Sequence, residues 1–213
     1  MRDYDVRVAL RHRLDIEHAG DDSTRVVEEL GLCEEVRIDF AVINGSLTGF
    51  ELKSERDTLV RLPRQAATYN RVFDYVHLVS AQRHIDHACE VIPSWWGILI
   101  AESGCGTDLS LRVHRRARRN PSVDPSAVVQ LLWRDEALAI LERLGADGGV
   151  RSKPREFVWR RLVESLSVTG LRREVRTVLK GRRGWRESPE RRESVATSPL
   201  SDMNSRFLAR RIR

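Results

Sequence analysis

Two short apolar segments flank an Asn-Gly dipeptide, and this arrangement constrains the fold more than any other feature of the sequence. Residues 36–43 (VRIDFAVI) are rich in β-branched side chains and nearly apolar on both faces, as in a buried strand. Asn44-Gly45 is a strong hairpin turn signal, and residues 48–54 (TGFELKS) have the pattern of the returning strand. We therefore expect a buried antiparallel hairpin.

Segments with helical and strand periodicity surround this hairpin. Apolar positions at helical spacing predict a first helix over residues 3–19, and the polar residues 21–24 indicate the start of a short helix from Arg25 to Leu30. The later elements predicted for this part of the chain are a helix that opens at Asp57-Thr58 and is either kinked at Pro63 or starts later, a strand at 75–80, a helix at 82–91, and strands at 96–102 and 108–114. This order predicts an α/β fold with a mixed β-sheet flanked by helices.

Charge divides the chain near residue 110. Residues 1–109 carry 12 Lys and Arg against 19 Asp and Glu, for a net charge of −7, and residues 110–213 carry 25 against 12, for a net charge of +13. The predicted regions are an α/β core over 1–114, a basic linker over 115–125, a helical basic region over 126–181, and an Arg- and Ser-rich, partly disordered tail over 182–213. Within the helical region, helices are predicted at 126–144, 153–168 and 170–181. The basic half suits contact with a polyanion such as nucleic acid, or forms a solvated helical surface. The candidate backbone contacts in the linker are Arg115, Arg116, Arg118 and Arg119.

No segment indicates export or membrane insertion. The longest apolar run, residues 95–101, is too short to span a bilayer, and the charged N-terminus contains no signal-peptide core. The three cysteines form no CxxC pair, which is typical of a reducing compartment. We expect a cytoplasmic protein with no membrane partner.

Three charged residues lie inside the apolar strands of the hairpin: Asp39, Glu51 and Lys53. Pairing that is symmetric about Gly45 places the two carboxylates opposite each other, about 5 Å apart at Cβ, whereas a tight two-residue loop shifts the register by one. Two carboxylates at that distance can share Mg²⁺. Lys53 is one of only three lysines among 37 basic residues, and it shares a strand face with Glu51. A lysine beside a metal can orient an attacking water.

Neighbouring elements supply further polar side chains. Glu29 closes the short helix predicted before the first strand and could be a third carboxylate, with Glu28 as the adjacent alternative. Gln65 and Arg61 lie one turn apart on the following helix, so they share a face and could hold a water or a phosphate oxygen. Together with the hairpin residues, this set suits metal-dependent hydrolysis of a phosphodiester.

This order of residues resembles the PD-(D/E)XK nuclease superfamily. The residues that carry the resemblance are Glu29 or Glu28, Asp39, Glu51-Leu52-Lys53 and Gln65. Over residues 24–102 the chain is more closely similar to a group of small, mostly bacterial proteins of that superfamily. One departure is that no proline precedes Asp39, where this chain has Arg37-Ile38.

The resemblance implies an αβββαβ restriction-endonuclease-like core and a Mg²⁺- or Mn²⁺-dependent nuclease. Its substrate would be nucleic acid, with DNA favoured by the resemblance alone. Carried over by position, Asp39 and Glu51 would be metal ligands, Lys53 would orient the attacking water, and Glu29 and Gln65 would be auxiliary. Many such folds act as dimers, so a homodimer is compatible, although no segment marks an interface.

Two other interpretations stay open. The chain could be a catalytically inactive nucleic-acid-binding module of the same fold. It could also be a partner-docking protein in which the charged residues form a structural ion cluster, since buried charges need partners. The pairs that would form such a cluster are Asp39 or Glu51 with Lys53, Arg37 or Arg61.

Overall fold

A six-stranded mixed β-sheet organises the fold, as seen in a computed structural model that describes residues 1–103 and 109–182. The strands are β1 (Arg25–Leu32), β2 (Val36–Ile43), β3 (Leu47–Lys53), β4 (Tyr75–Ala81), β5 (Gly97–Ser103) and β6 (Leu109–Arg115). Their order in the sheet follows the chain. The central pairs β3–β4 and β4–β5 are parallel, and the outer pairs β1–β2, β2–β3 and β5–β6 are antiparallel. The predicted α/β class with a mixed sheet is confirmed.

Helices lie on both faces of this sheet. They are α1 (Asp3–Glu17), α2 (Leu62–Val72), α3 (Ile85–Val91), α4 (Pro125–Val128), α5 (Arg134–Arg143), α6 (Arg155–Ser165) and α7 (Val168–Gly181), with 3-10 turns at Gln82–His84 and Val129–Leu131. On one face, α1 buries Val6, Leu10 and Leu14 against apolar strand residues that include Phe50 and Leu52. On the other face, α2 contacts Glu51. The order from α1 to β4 is αβββαβ, as expected.

The short helix predicted from Arg25 to Leu30 is wrong, because this segment is strand β1. The polar residues before it form a turn instead of a helix cap: the Thr24 hydroxyl donates to Asp21 at 2.6 Å, and the Ser23 N–H donates to the same carboxylate at 2.9 Å. Asp, Ser and Thr side chains stabilise turns and helix starts by the same local hydrogen bonds, so their pattern does not separate the two. Residues 25–32 form a strand because they pair with β2.

The β2–β3 hairpin has the register that is symmetric about Gly45. Ile43 pairs with Leu47, and the ladder continues as far as Phe40 with Phe50. A three-residue loop closes it, in which the N–H of Ser46 donates to the Asn44 side chain at 3.0 Å. The alternative two-residue loop is therefore excluded.

Helix α2 begins at Leu62, later than Asp57-Thr58, which agrees with the alternative of a later start. Pro63 lies in its first turn, where a missing N–H costs nothing. The Asp57 carboxylate instead accepts hydrogen bonds from the N–H and hydroxyl of Ser54, at 2.7 and 2.6 Å. This contact fixes the loop that follows β3.

The continuous helix predicted over 126–144 is wrong. Helix α4 and the following 3-10 turn end at Leu131, the backbone of Leu132 is extended, and α5 begins at Arg134. The break lets Val128, Val129 and Leu131 all be buried, which one straight helix could not achieve along a single face. The predicted helices at 153–168 and 170–181 correspond to α6 and α7.

Residues 1–182 form one compact unit, and the predicted linker lies within it. The side chain of Asn120 donates to the carbonyls of Asn70 and Phe73 at 2.7 and 2.8 Å, which ties this segment to the end of α2. The predicted tail, apart from Arg182, lies outside the described residues. Among the helices of the described part, none has the length and apolar character needed to cross a membrane.

Candidate active site

The predicted site residues of the hairpin and of α2 meet at one cavity of about 650 Å³. Strand β3 brings Glu51 and Lys53 to its wall, strand β2 brings Asp39, and the first turns of α2 bring Arg61 and Gln65. Alternation along β3 explains the placement, since Phe50 and Leu52 point into the apolar core under α1. Strand β3 therefore presents Glu51 and Lys53 to the cavity, and Phe50 and Leu52 to the apolar core.

The Glu51 carboxylate is the centre of a buried hydrogen-bond network. One oxygen accepts from the Lys53 ammonium at 2.6 Å and from the Gln65 amide at 2.5 Å, and the other accepts from the Tyr69 hydroxyl at 2.6 Å. Glu51 and Lys53 are only 2% and 3% exposed. Burial and the charge of Glu51 raise the pKa of Tyr69, so its hydroxyl stays protonated and donates.

The Asp39 carboxylate is held by backbone on one side and by a cation on the other. Its Oδ2 accepts from the N–H of Leu52 at 2.8 Å, and its Oδ1 accepts from Arg7 of α1, also at 2.8 Å. Burial, and then the charge of Glu51, raise the pKa of Asp39 to about 6. The two carboxylates therefore repel each other, and a bound cation would relieve that repulsion.

The donor set fits a hard divalent cation with few protein ligands. Among residues 1–103 and 109–182, no three Asp, Glu, His or Cys side chains are grouped closely enough to hold a metal alone. Mg²⁺ is usually bound by one or two carboxylates and keeps several waters, so Asp39 and Glu51 meet that requirement. The Oε1 atom of Gln65 is buried and has no hydrogen-bond partner in the described structure. This neutral oxygen is a suitable partner for a cation or for its water.

Glu29, and not Glu28, lines the cavity. It lies on β1, in a left-handed backbone conformation with φ +56°, and its carboxylate contacts Arg7 at 3.0 Å and Arg37 at 3.1 Å. The nearer cation to Glu28 is Arg11, at 2.9 Å. The predicted auxiliary carboxylate is therefore at the cavity wall, although it belongs to a strand and not to the predicted helix.

The arginines of the predicted linker lie elsewhere. Arg115 and Arg116 line a separate cavity of about 240 Å³, and the Arg115 guanidinium donates to the Trp96 carbonyl at 2.8 Å. Arg118 donates to the Ser94 hydroxyl at 3.1 Å. Burial and the neighbouring Arg119 lower the pKa of Arg176. Of the predicted nucleic-acid contacts, only Arg61 is at the candidate site cavity.

Sequence reasoning missed three residues at or beside this site. Tyr69 had a local signal, since its spacing of four residues from Gln65 places both on one helix face. Arg7 had no local signal, because its contact with Asp39 spans 32 residues of sequence. Arg64, which also lines the cavity, could have been found from its place beside Gln65 in the first turn of α2.

Comparisons with known proteins place the chain in one family. The family model described as Bacteriophage P4 protein cII matches residues 1–194. Protein cII of Enterobacteria phage P4 is 25% identical over 145 residues, which cover 68% of this chain and 54% of that protein, so the chain spans about half the length of this relative. A solved structure from Silicibacter pomeroyi, described as SPO1766 protein of unknown function, aligns with a TM-score of 0.38 and 19% identity over 70% of this chain and 92% of that chain. Because the family model covers most of its length, the chain belongs to the bacteriophage P4 protein cII family.

Proposed function

We propose that this protein is a metal-dependent nuclease that hydrolyses phosphodiester bonds. The observation that carries the proposal is the buried Glu51–Lys53 pair beside Asp39 on the wall of an open cavity. Buried charges are costly to maintain, and a purely structural pair has no need of a second carboxylate or of a cavity beside it. The αβββαβ order around them agrees with the PD-(D/E)XK resemblance.

Asp39 and Glu51 would hold Mg²⁺ or Mn²⁺. When bound, such an ion polarises the phosphate and lowers the pKa of water. Lys53 keeps its ammonium at Glu51 and is the group placed to orient the attacking water. Gln65 offers its free amide oxygen to that water, and Tyr69 fixes the other oxygen of Glu51.

The substrate is proposed to be nucleic acid, and DNA in particular. The preference for DNA rests on the superfamily resemblance, which is an argument by analogy. Arg61 and Arg64 line the cavity with exposed side chains, and no hydrogen bond or ion pair engages either guanidinium within the described structure. They are available to contact the phosphates that flank the scissile bond. We expect the protein to act in the cytoplasm.

A second candidate is a module of the same fold without catalytic activity. The observation that favours it is that every oxygen of Asp39 and Glu51 already accepts a hydrogen bond from a protein donor. A network that is satisfied in this way could be structural. The two candidates differ in whether the protein cleaves nucleic acid in the presence of a divalent metal.

The deciding experiment is cleavage of supercoiled, linear and single-stranded DNA, and of RNA, in Mn²⁺ and in EDTA. Wild type would be compared with Asp39→Asn and Lys53→Met, and with Lys153→Met as a matched control on an exposed lysine. The proposal expects cleavage in Mn²⁺ that both site variants lose by at least about 100-fold and that the control keeps. Absence of cleavage in every substrate, or equal cleavage by all proteins, would reject it.

A further inference from the structure

Arg7 contacts more carboxylates of the candidate site than any other cation named above. Its Nη2 lies 2.8 Å from Asp39 Oδ1 and 3.0 Å from Glu29 Oε1. Its Nε lies 3.7 Å from Asp3, and its Nη1 lies 4.0 Å from Glu28. The Arg7 guanidinium thus contacts carboxylates of α1, β1 and β2, whereas Arg7 itself belongs to α1.

The contact with Asp39 uses the oxygen that a metal would need. Oδ2 is taken by the backbone N–H of Leu52, which is part of the sheet and cannot leave without breaking it. Oδ1 is therefore the oxygen of Asp39 that can exchange partners. A guanidinium at 2.8 Å and a divalent cation cannot both approach this oxygen along the same direction.

Arg7 also has other partners in reach. Its guanidinium lies over the Phe40 ring, 5.3 Å from the ring centroid, and already shares a hydrogen bond with Glu29. A small rotation would move it from Asp39 to Glu29 or Glu28 without leaving it unpaired. The side chain is 24% exposed, so it has room for this movement.

We propose that Arg7 is an internal counter-ion that occupies the exchangeable oxygen of Asp39 and competes with the divalent cation for it. This inference rests on the proposed function, because it concerns the same site. When a metal binds, the Arg7 guanidinium would move from Asp39 to the carboxylates of Glu28 and Glu29 on β1. The position of α1 would then depend on whether the metal is bound. Arg7 therefore weakens metal binding in the wild-type protein.

The test is the affinity for Mn²⁺, measured on the full chain from the EPR signal of the free ion. The variants are Arg7→Gln, which removes the charge, and Arg7→Lys, which keeps it. Arg11→Gln is the matched control, since Arg11 lies one turn further along α1 and bonds Glu28 and Asp15 but not Asp39. We expect Arg7→Gln to lower the Kd for Mn²⁺ by roughly tenfold, because a competing positive charge is lost beside the ion. Arg7→Lys and Arg11→Gln should stay within about threefold of wild type, because each leaves a positive charge at Asp39.

A second measurement uses only the wild-type fold. In protein labelled with ¹⁵N-arginine, Mg²⁺ should shift the Nε–H signal of one arginine, and this signal should be missing in Arg7→Lys. The inference is overturned if wild type binds Mn²⁺ through Asp39 while Arg7→Gln binds it equally or more weakly, and the proposed function survives that result. If neither wild type nor Arg7→Gln binds Mn²⁺, the inference and the proposed metal-dependent function both fail.

Discussion

The backbone N–H of Leu52 donates to Asp39 Oδ2 at 2.8 Å, at the point where the β2–β3 ladder has ended. The last paired residues of this ladder are Phe40 and Phe50, so the Asp39 side chain accepts from an N–H of β3 that lies beyond the pairing with β2. This contact fixes one oxygen of Asp39 to the sheet and leaves the other among charged groups. A carboxylate held in this way is positioned before any ligand arrives.

Removing the Lys53 ammonium should destabilise the protein, because Glu51 would keep a buried negative charge with only neutral donors. We expect Lys53→Met to lower the free energy of unfolding by about 3 kcal/mol. Urea denaturation in EDTA measures this quantity. Lys153→Met is the control, since Lys153 is exposed and should lose less than about 0.5 kcal/mol. Equal stability of the two variants would show that the Glu51–Lys53 pair contributes nothing to folding.

Asn120 ties the segment between β6 and α4 to the end of α2. Asn120→Ala removes both hydrogen bonds from its amide and leaves the buried Phe73 carbonyl without this donor. We expect a loss of about 2 kcal/mol in the free energy of unfolding, measured by chemical denaturation. Gln130→Ala, which removes one exposed bond to the Ser126 carbonyl, serves as the control. A loss no larger than that of the control would contradict the proposed role of Asn120.

A methyl group at Gly97 has no space. A Cβ there would lie 2.5 Å from His77 Nδ1 and 3.0 Å from the Ala117 Cβ, and the His77 ring is stacked on Phe50 and cannot move freely. Gly97→Ala should therefore lower the melting temperature, by an amount equivalent to about 2 kcal/mol. Gly148→Ala is the control, because nothing lies within 4 Å of the added carbon. Similar melting temperatures for the two variants would mean that the His77 ring moves away from the added methyl group at little cost in free energy.

His77 should make the fold sensitive to acid. Burial, and then Arg13, lower the pKa of His77 from 6.5 to about 4. The unfolded chain therefore binds a proton at a higher pH than the folded chain does. The contribution of neutral His77 to the free energy of unfolding is therefore fully present above pH 6.5. It is lost as the pH falls from 6.5 through about 4, by a total of about 3 kcal/mol.

The measurement compares the free energies of unfolding of wild type and His77→Phe between pH 7 and pH 4. The difference isolates His77, because Asp39, whose raised pKa gives a pH dependence of opposite sign, is present in both proteins. Wild type should lose stability relative to the variant as the pH falls. A constant difference across this range would show that His77 does not titrate as its surroundings imply.

The hairpin and its charged residues could be predicted because their signals are local. β-Branched runs, the Asn-Gly turn and period-two alternation placed Glu51 and Lys53 on one face, whereas the register about Gly45 was one of two that the Asn-Gly turn allowed. Gln65 could be predicted for a similar reason, since its helix follows β3 directly. Local patterns therefore account for the central residues of the cavity wall, which are Asp39, Glu51, Lys53 and Gln65.

The remaining features depend on contacts between distant segments. Residues 21–24 form a signal that fits a helix start or a turn, and only pairing with β2 shows that residues 25–30 are a strand. Arg7 reaches Asp39 because α1 crosses the sheet at one particular angle, which no spacing in the sequence specifies. The break near Leu132 follows from the shape of the core that α4 and its 3-10 turn must fill.

Arg61 and Arg64 provide the last prediction, which concerns substrate binding. The cavity is lined by seven carboxylates against four cationic side chains, so a polyanion is repelled unless divalent ions are present. DNA binding measured by fluorescence anisotropy in Ca²⁺ should therefore be tighter than in EDTA. The double variant Arg61→Gln/Arg64→Gln should reduce the slope of log K against log salt by about 2, because two phosphate contacts are lost.

The control for this prediction is Arg160→Gln/Arg173→Gln, which makes the same change in net charge at exposed positions away from the cavity. This control should leave the slope within about 0.5 of wild type, because neither arginine lines the cavity. Equal loss of slope in both double variants would assign DNA binding to the overall basic charge of the chain. It would then remove Arg61 and Arg64 from the substrate contacts, whereas a loss confined to the first variant would place the phosphate backbone at the mouth of the candidate active site.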